Sequence, residues 1–146
     1  MLRSERQVAL HDVLEALAVA AGRYEDAATA LGQDAAATLC RRLARRRAAL
    51  AARMEAALRQ AGDLPSEPDA DRETLGRLGS RLRALLSDAE RPLLIRERLA
   101  AEEELLRLAE HAAGLALEPA WQGLLEQVRQ EAARAVRQLR EFAASP

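Results

Sequence analysis

Two charged residues, Arg47 and Glu102, stand where a helix of this chain would be expected to bury an apolar side chain. Each lies near the middle of a stripe of Ala and Leu residues at heptad spacing. A lone charge in a helical core is costly, so charges at such positions are normally paired. Glu25 and Glu131 flank the corresponding stripes of two other segments. The spacing therefore allows a buried polar cluster of Glu25, Arg47, Glu102 and Glu131 in the middle of a helical bundle.

The alternative places the same four side chains in solvent. Small helix rotations would move them to the edge of the core, and arginine can reach water along its flexible stem. For Arg47 and Glu102 the sequence does not decide between the two positions. For Glu25 and Glu131 it favours the solvated face.

Inward carboxylates are among the ligands of the di-iron centres that some helical bundles contain. Such a centre takes one Glu from each of two helices and a Glu-x-x-His motif from each of the other two. Three residues before His11 stands Val8, and three before His111 stands Leu108, so neither histidine is in that motif. Arginines, Arg134 among them, fall near the expected ligand positions of the other two helices. The residues predict no metal site and no cofactor.

The sequence also lacks the residue patterns of other catalytic sites. The serines lie at helix ends or in connections without a histidine beside them, and no glycine-rich phosphate loop follows a strand. Cys40 occupies an apolar stripe position, which favours a buried structural thiol. The arginine run over 41–53 has no aromatic residue nearby to stack on bases, which favours a solvated face. The sequence therefore predicts no enzyme and no nucleic-acid binding.

The overall composition indicates the elements that carry these residues. The 146 residues are 49% hydrophobic and 31% charged but only 2% aromatic. Ala, Leu, Arg and Glu favour helices, whereas strands favour β-branched and aromatic side chains, so a β-sheet domain is excluded. The formal net charge is −1, there is one cysteine, and no apolar run is long enough to span a membrane. We expect a soluble, cytoplasmic protein.

The heptad stripes predict four long helices, at about 4–31, 34–61, 91–117 and 119–143. A partly helical crossover is predicted over about 62–90, where Pro and Gly mark a loop and two further glycines weaken the helix. One long crossover between the second and third helices is typical of ferritin-like bundles. The expected fold is all-α: a single domain over 1–146 forming a ferritin-like antiparallel four-helix bundle.

Four segments resemble those of a known family: 22–28 in the first helix, 47–54 in the second, the turn Gly62-Asp63-x-Pro65, and the acidic pair Glu102-Glu103. Over roughly 8–142 the chain resembles a bacterial ferritin-like family of four-helix-bundle proteins of unknown function. The resemblance implies a ferritin-like fold whose di-iron ligands have been lost, and a link to stress responses.

These observations lead to two hypotheses about function. The first is a non-enzymatic structural or protein-interaction role, as a homodimer or with another protein, and without nucleic acid or membrane. The alternative is carboxylate-based iron binding, storage or redox activity at a degenerate di-iron site. Two irons per chain, lost on replacing Glu25 or Glu102, would favour the alternative.

Overall fold

A computed structural model describes residues 4–63, 90–115 and 118–144 of the chain. These residues form four α-helices: α1 (Glu5–Leu31), α2 (Ala35–Gln60), α3 (Arg91–Ala113) and α4 (Pro119–Ala144). The described part of the chain contains no strand, so the prediction of an all-α, four-helix protein is confirmed. Most of the predicted crossover, residues 64–89, lies outside the described residues.

Local signals account for where the helices begin and end. The Ser4 side chain accepts a hydrogen bond from the backbone of Gln7, whose side chain accepts one in return, so a capping box opens α1. Gly32 follows α1 with a φ of 63°, which glycine adopts without strain. Pro119 begins α4, in the first-turn position that proline favours. The third helix ends at Ala113 rather than near 117 as predicted, because Gly114 caps it there.

The four helices share an interior that falls into two clusters of buried residues. α1 packs against α2 and α3, and α4 packs against α3 and α2. The lower cluster joins residues 9–17 of α1, 50–58 of α2, 105–112 of α3 and 124–132 of α4. The upper cluster joins 20–28 of α1, 39–44 of α2, and Ala135 and Leu139 of α4. Charged side chains lie at the level where the two clusters meet.

The first residues of α2 and α3 lie side by side. Asp34, the N-cap residue of α2, pairs with Arg91, the first residue of α3, through the guanidinium nitrogens Nε and Nη2. The chain leaves α2 at its other end, where Asp63 contacts His11 near the start of α1. The end of α2 and the start of α3 therefore lie at opposite ends of the four-helix arrangement. Among the described helices, none combines the length and apolar character needed to cross a membrane.

Candidate functional site

The structure brings Arg47 and Glu102 together in the interior. Their side chains are 0% and 1% exposed. Arg47 Nε donates a hydrogen bond to Glu102 Oε1 over 2.9 Å, and Arg47 Nη2 donates to the same oxygen. Each residue occupies the inward stripe of its helix, α2 or α3, so the packing that buries the neighbouring leucines also buries the charges. Of the two positions that the sequence left open for this pair, the structure shows the buried one.

Tyr24 completes the coordination of the buried carboxylate. Its hydroxyl donates a hydrogen bond of 2.6 Å to Glu102 Oε2, and the side chain is fully buried. Burial, and then the negative charge of Glu102, raise the pKa of the Tyr24 hydroxyl well above its ordinary value. Both oxygens of Glu102 are therefore engaged, one by a cation and the other by a neutral donor.

A second arginine lies over the ring of Tyr24. The guanidinium carbon of Arg98 is 5.5 Å from the centre of the tyrosine ring, a distance at which the ring face attracts a cation. Burial lowers the pKa of Arg98, and Tyr24 and Glu102 act in the opposite direction. Arg98 precedes Glu102 by one helical turn of α3, so this helix supplies both a cation and an anion to the tyrosine.

Glu131 lies at the edge of the network rather than in its centre. Its side chain is 17% exposed, and its Oε1 is 3.9 Å from Nη1 of Arg47. The backbone carbonyl of Glu131 accepts a 3.4 Å hydrogen bond from Arg47 Nη2. Arg46 and Gln127 donate hydrogen bonds of 2.8 and 3.1 Å to the Glu131 carboxylate. Burial acts to raise the pKa of Glu131, but these donors outweigh it and the pKa is lowered.

Glu25 does not belong to the cluster. Of the two positions that the sequence allowed for Glu25, the structure shows the solvated one that the sequence favoured, on the surface of α1. Successive residues of a helix are rotated by about 100°, so when Tyr24 points inward its neighbour must point away. The predicted cluster of Glu25, Arg47, Glu102 and Glu131 is corrected to Tyr24, Arg47 and Glu102, with Glu131 at its edge. We call this group the buried network.

The buried network does not suit a di-iron centre. Both oxygens of Glu102 already accept hydrogen bonds, and a guanidinium occupies the space beside them. A resident cation repels a metal ion and occupies the lone pairs that would bind it. His11 lies near Asp63, with Nε2 and Oδ2 3.1 Å apart, and His111 is exposed. Among the described residues, no group of three or more His, Cys, Asp or Glu is placed to hold a metal ion.

Cys40 and the arginine run lie where the sequence predicted them. Cys40 is buried in the upper cluster, and burial raises the pKa of its thiol to about 11, which suits a structural thiol. The arginines of the run other than Arg47 are exposed on α2.

Three contacts in the structure were not found by the sequence reasoning. Tyr24 lies on the buried side of α1, and the pairing of its hydroxyl with Glu102 depends on how α1 and α3 meet. Arg98 carries no pattern that distinguishes it from the other arginines of α3. The contact of His11 with Asp63 joins residues 52 positions apart. Only the last could have been suggested beforehand, because a tight α1–α2 hairpin places the start of α1 beside the end of α2.

The buried network holds three helices together through charge-assisted hydrogen bonds, the strong class of protein hydrogen bond. Tyr24, Arg47 and Glu102 are closed to solvent, and the charges of Arg47 and Glu102 offset each other. Comparison of the chain with protein-family models, with curated proteins and with solved structures finds no match.

Proposed function

We propose that this chain is a non-enzymatic, ferritin-like four-helix bundle with a structural or protein-interaction role, whose interior is neutralised by an arginine instead of metal ions. The observation that carries the proposal is the position of the Arg47 guanidinium against Glu102, at the level where the two core clusters meet. In a di-iron bundle the inward carboxylates bind metal ions between the helices. In this chain the inward carboxylate of Glu102 instead accepts hydrogen bonds from the side chain of Arg47.

The order of the helices supports the ferritin-like part of this proposal. The first half of α1 shares the lower cluster with the second halves of α2 and α3 and the first half of α4. That sharing fits α1 and α4 running one way and α2 and α3 the other. Asp34 and Arg91, at the starts of α2 and α3, are also neighbours. Parallel second and third helices require one long crossover, the connection of ferritin-like bundles.

The energetics support a structural role for the network. Removing one partner of a buried ion pair leaves an uncompensated charge, which costs about 3–5 kcal/mol, whereas replacing both partners by apolar groups is often neutral. Such a pair therefore penalises packings that separate its members. We infer that the buried network serves to select one arrangement of α1, α2 and α3, as a rigid scaffold requires.

Metal analysis of the purified protein tests the proposal against iron binding. The protein is produced in iron-supplemented medium and its iron is measured by mass spectrometry, with Glu102→Ala and the surface variant Glu104→Ala prepared in parallel. We expect far less than one iron per chain in all three proteins. About two irons per chain, lost in Glu102→Ala but kept in Glu104→Ala, would overturn the proposal and establish the iron-binding alternative.

A further inference from the structure

Arg98 of α3 is a partly buried cation without a hydrogen-bonded anion. Its guanidinium carbon lies 5.5 Å from the centre of the Tyr24 ring, and burial is the main reason that its pKa is lowered. In the part of the chain that the structure describes, the guanidinium donates no hydrogen bond to a carboxylate. Because a charge removed from water is costly unless an opposite charge lies against it, Arg98 calls for a counterion.

Glu102, one turn further along α3, does not fill that place. Its Oε1 accepts hydrogen bonds from Arg47 and its Oε2 accepts one from Tyr24. Glu102 acts on the pKa of Arg98 through its charge, without a hydrogen bond. Since the charges of Arg47 and Glu102 already offset each other, Arg98 adds a positive charge that this pair does not balance.

Glu97, the residue before Arg98, is also poorly placed to balance it. Successive side chains of a helix diverge by about 100°, so Glu97 and Arg98 leave α3 in different directions. Of the groups that shift the pKa of Arg98, Glu97 has the weakest influence. The acidic residues near Arg98 therefore leave its guanidinium without a bonded oxygen.

A second arginine, Arg23 of α1, lies near Arg98. Its positive charge lowers the pKa of Arg98, so the two guanidinium groups are close enough to repel each other. Arg23 and Glu25 diverge from Tyr24 in opposite directions around α1. Glu25 is exposed and is not among the groups that act on Arg98, which places Arg23 on the α3 side. Within the described ranges, Arg23 has no hydrogen bond or ion pair.

The chemistry of two neighbouring guanidinium groups matches an oxyanion. Each group is planar and presents several N–H donors at the spacing of carboxylate or phosphate oxygens. An anion between the two groups would remove their repulsion and would accept the hydrogen bonds that Arg98 does not make elsewhere. A buried polar group without a partner in a native protein is often explained by an ion that the coordinates do not contain.

We propose that Arg23 and Arg98 bind a small oxyanion beside the ring of Tyr24, on the side where α1 meets α3. The ring face holds the Arg98 guanidinium through a cation–π contact. That contact restricts the long side chain before the anion arrives, so less side-chain freedom is lost on binding. The site is separate from the ion pair of Arg47 and Glu102 and goes beyond the proposed structural role.

Thermal unfolding of the full chain in inorganic phosphate is the first test. Samples in phosphate are compared with samples in NaCl at the same ionic strength, so that general screening of charge is equal in both. We expect about 20 mM phosphate to raise the midpoint by at least about 2 °C over NaCl, because a ligand that binds only the folded chain stabilises it. Equal midpoints in the two salts would overturn the proposal.

Substitutions test the location of the site, with the dissociation constant for inorganic phosphate measured by isothermal titration calorimetry. We expect Arg98→Met and Arg23→Gln each to raise that constant at least about tenfold, since each removes charged donors from the anion. Arg96→Gln removes the same charge from an exposed position two residues before Arg98 and serves as the matched control. If Arg96→Gln weakens binding as much as Arg98→Met, the effect belongs to the surface charge and the assignment is wrong.

The stability of Arg98→Met in phosphate-free buffer separates anion binding from a packing role. We expect this variant to be about as stable as the parent there, because it loses an unbalanced cation together with the ring contact, and to gain nothing from added phosphate. A variant less stable than the parent, combined with a parent that does not respond to phosphate, would show that Arg98 serves only to pack on Tyr24. Circular dichroism confirms that each variant is folded, and Arg23→Gln provides the test at a second position.

Discussion

Arg47 on α2 and Glu102 on α3 form an ion pair that is closed to solvent, with side chains 0% and 1% exposed. Glu102 is held on its second oxygen by Tyr24 of α1, so three helices meet at one carboxylate. A bundle rich in alanine has little volume per layer to specify how its helices pack. We expect the charged pair to supply that specificity, because any packing that separates it leaves a charge buried alone.

Replacing Arg47 by methionine is expected to destabilise the fold. The buried Glu102 carboxylate loses its cation, and we expect the free energy of unfolding to fall by about 3–5 kcal/mol. The double variant Arg47→Met/Glu102→Leu removes both charges and is expected to recover most of that loss. Urea unfolding followed by circular dichroism measures all three proteins. An Arg47→Met variant as stable as the parent would show that the pair does not hold the helices together.

Glu25 and Glu102, two members of the cluster that the residue spacing allowed, are expected to respond differently to replacement by alanine. Glu25 is exposed, so Glu25→Ala is expected to change the free energy of unfolding by less than about 0.5 kcal/mol at high salt. Glu102→Ala leaves the buried Arg47 without its carboxylate and is expected to cost about 3–5 kcal/mol. The same urea titrations compare the two variants. Equal losses of unfolding free energy in the two variants would indicate that the Glu25 side chain is buried.

Tyr24 is expected to resist ionisation in the folded protein. It is the only tyrosine of the chain, so tyrosinate absorbance reports it alone. Burial and the charge of Glu102 raise its pKa, whereas in the unfolded chain it titrates near pH 10. The stabilisation that comes from this shift is fully present below that pH and is lost as the pH rises toward the folded value.

The measurement is an alkaline titration of the folded protein, with the urea-unfolded protein as the control. We expect the folded protein to show no tyrosinate at a pH where the unfolded chain is half ionised. Tyrosinate that forms near pH 10 without loss of helix would mean that the Tyr24 hydroxyl is open to solvent.

Cys40 is expected to react slowly with alkylating reagents while the chain is folded. Its side chain is buried, and its pKa of about 11 leaves few thiolates at neutral or mildly alkaline pH. Unfolding in urea should restore the rate of an ordinary thiol. Mass spectrometry of samples quenched over time follows the single modified site. Equal rates in the folded and unfolded protein would contradict the buried position.

Asp34 is expected to stabilise the start of α2 in a pH-dependent way. Its side chain accepts a hydrogen bond of 2.9 Å from the Ala36 amide, and the bond with Arg91 is the main reason that its pKa is lowered. This stabilisation is present at pH values above the ordinary Asp pKa of about 3.8. It is lost as the pH falls through the lower pKa that Asp34 has in the folded protein.

Asp34→Ala removes both contacts and is expected to cost about 1–2 kcal/mol at neutral pH. Asp34→Asn is the matched control, because asparagine caps a helix as well as aspartate but cannot form the ion pair with Arg91. We expect it to lose less stability than Asp34→Ala and to lose the acid dependence. Thermal unfolding over a series of acidic buffers measures both effects.

The local sequence determined the helices, because their signals are local. Heptad stripes of Ala and Leu define which positions face inward, and caps such as Ser4 and Asp34 define where a helix begins. These stripes also singled out Arg47 and Glu102 as inward charges. The end of α3 was predicted less well, because a glycine at 114 stops the helix although apolar residues continue beyond it.

The tertiary structure alone decided which side chains meet at Glu102. Moving one residue along a helix turns the side chain by about 100°, and the rotation of α1 against α3 is set by packing across the whole bundle. That rotation brings Tyr24 to the carboxylate and leaves Glu25 in solvent. Sequence periodicity specifies the inward stripe of each helix, whereas partners from three helices are chosen only when those stripes pack together.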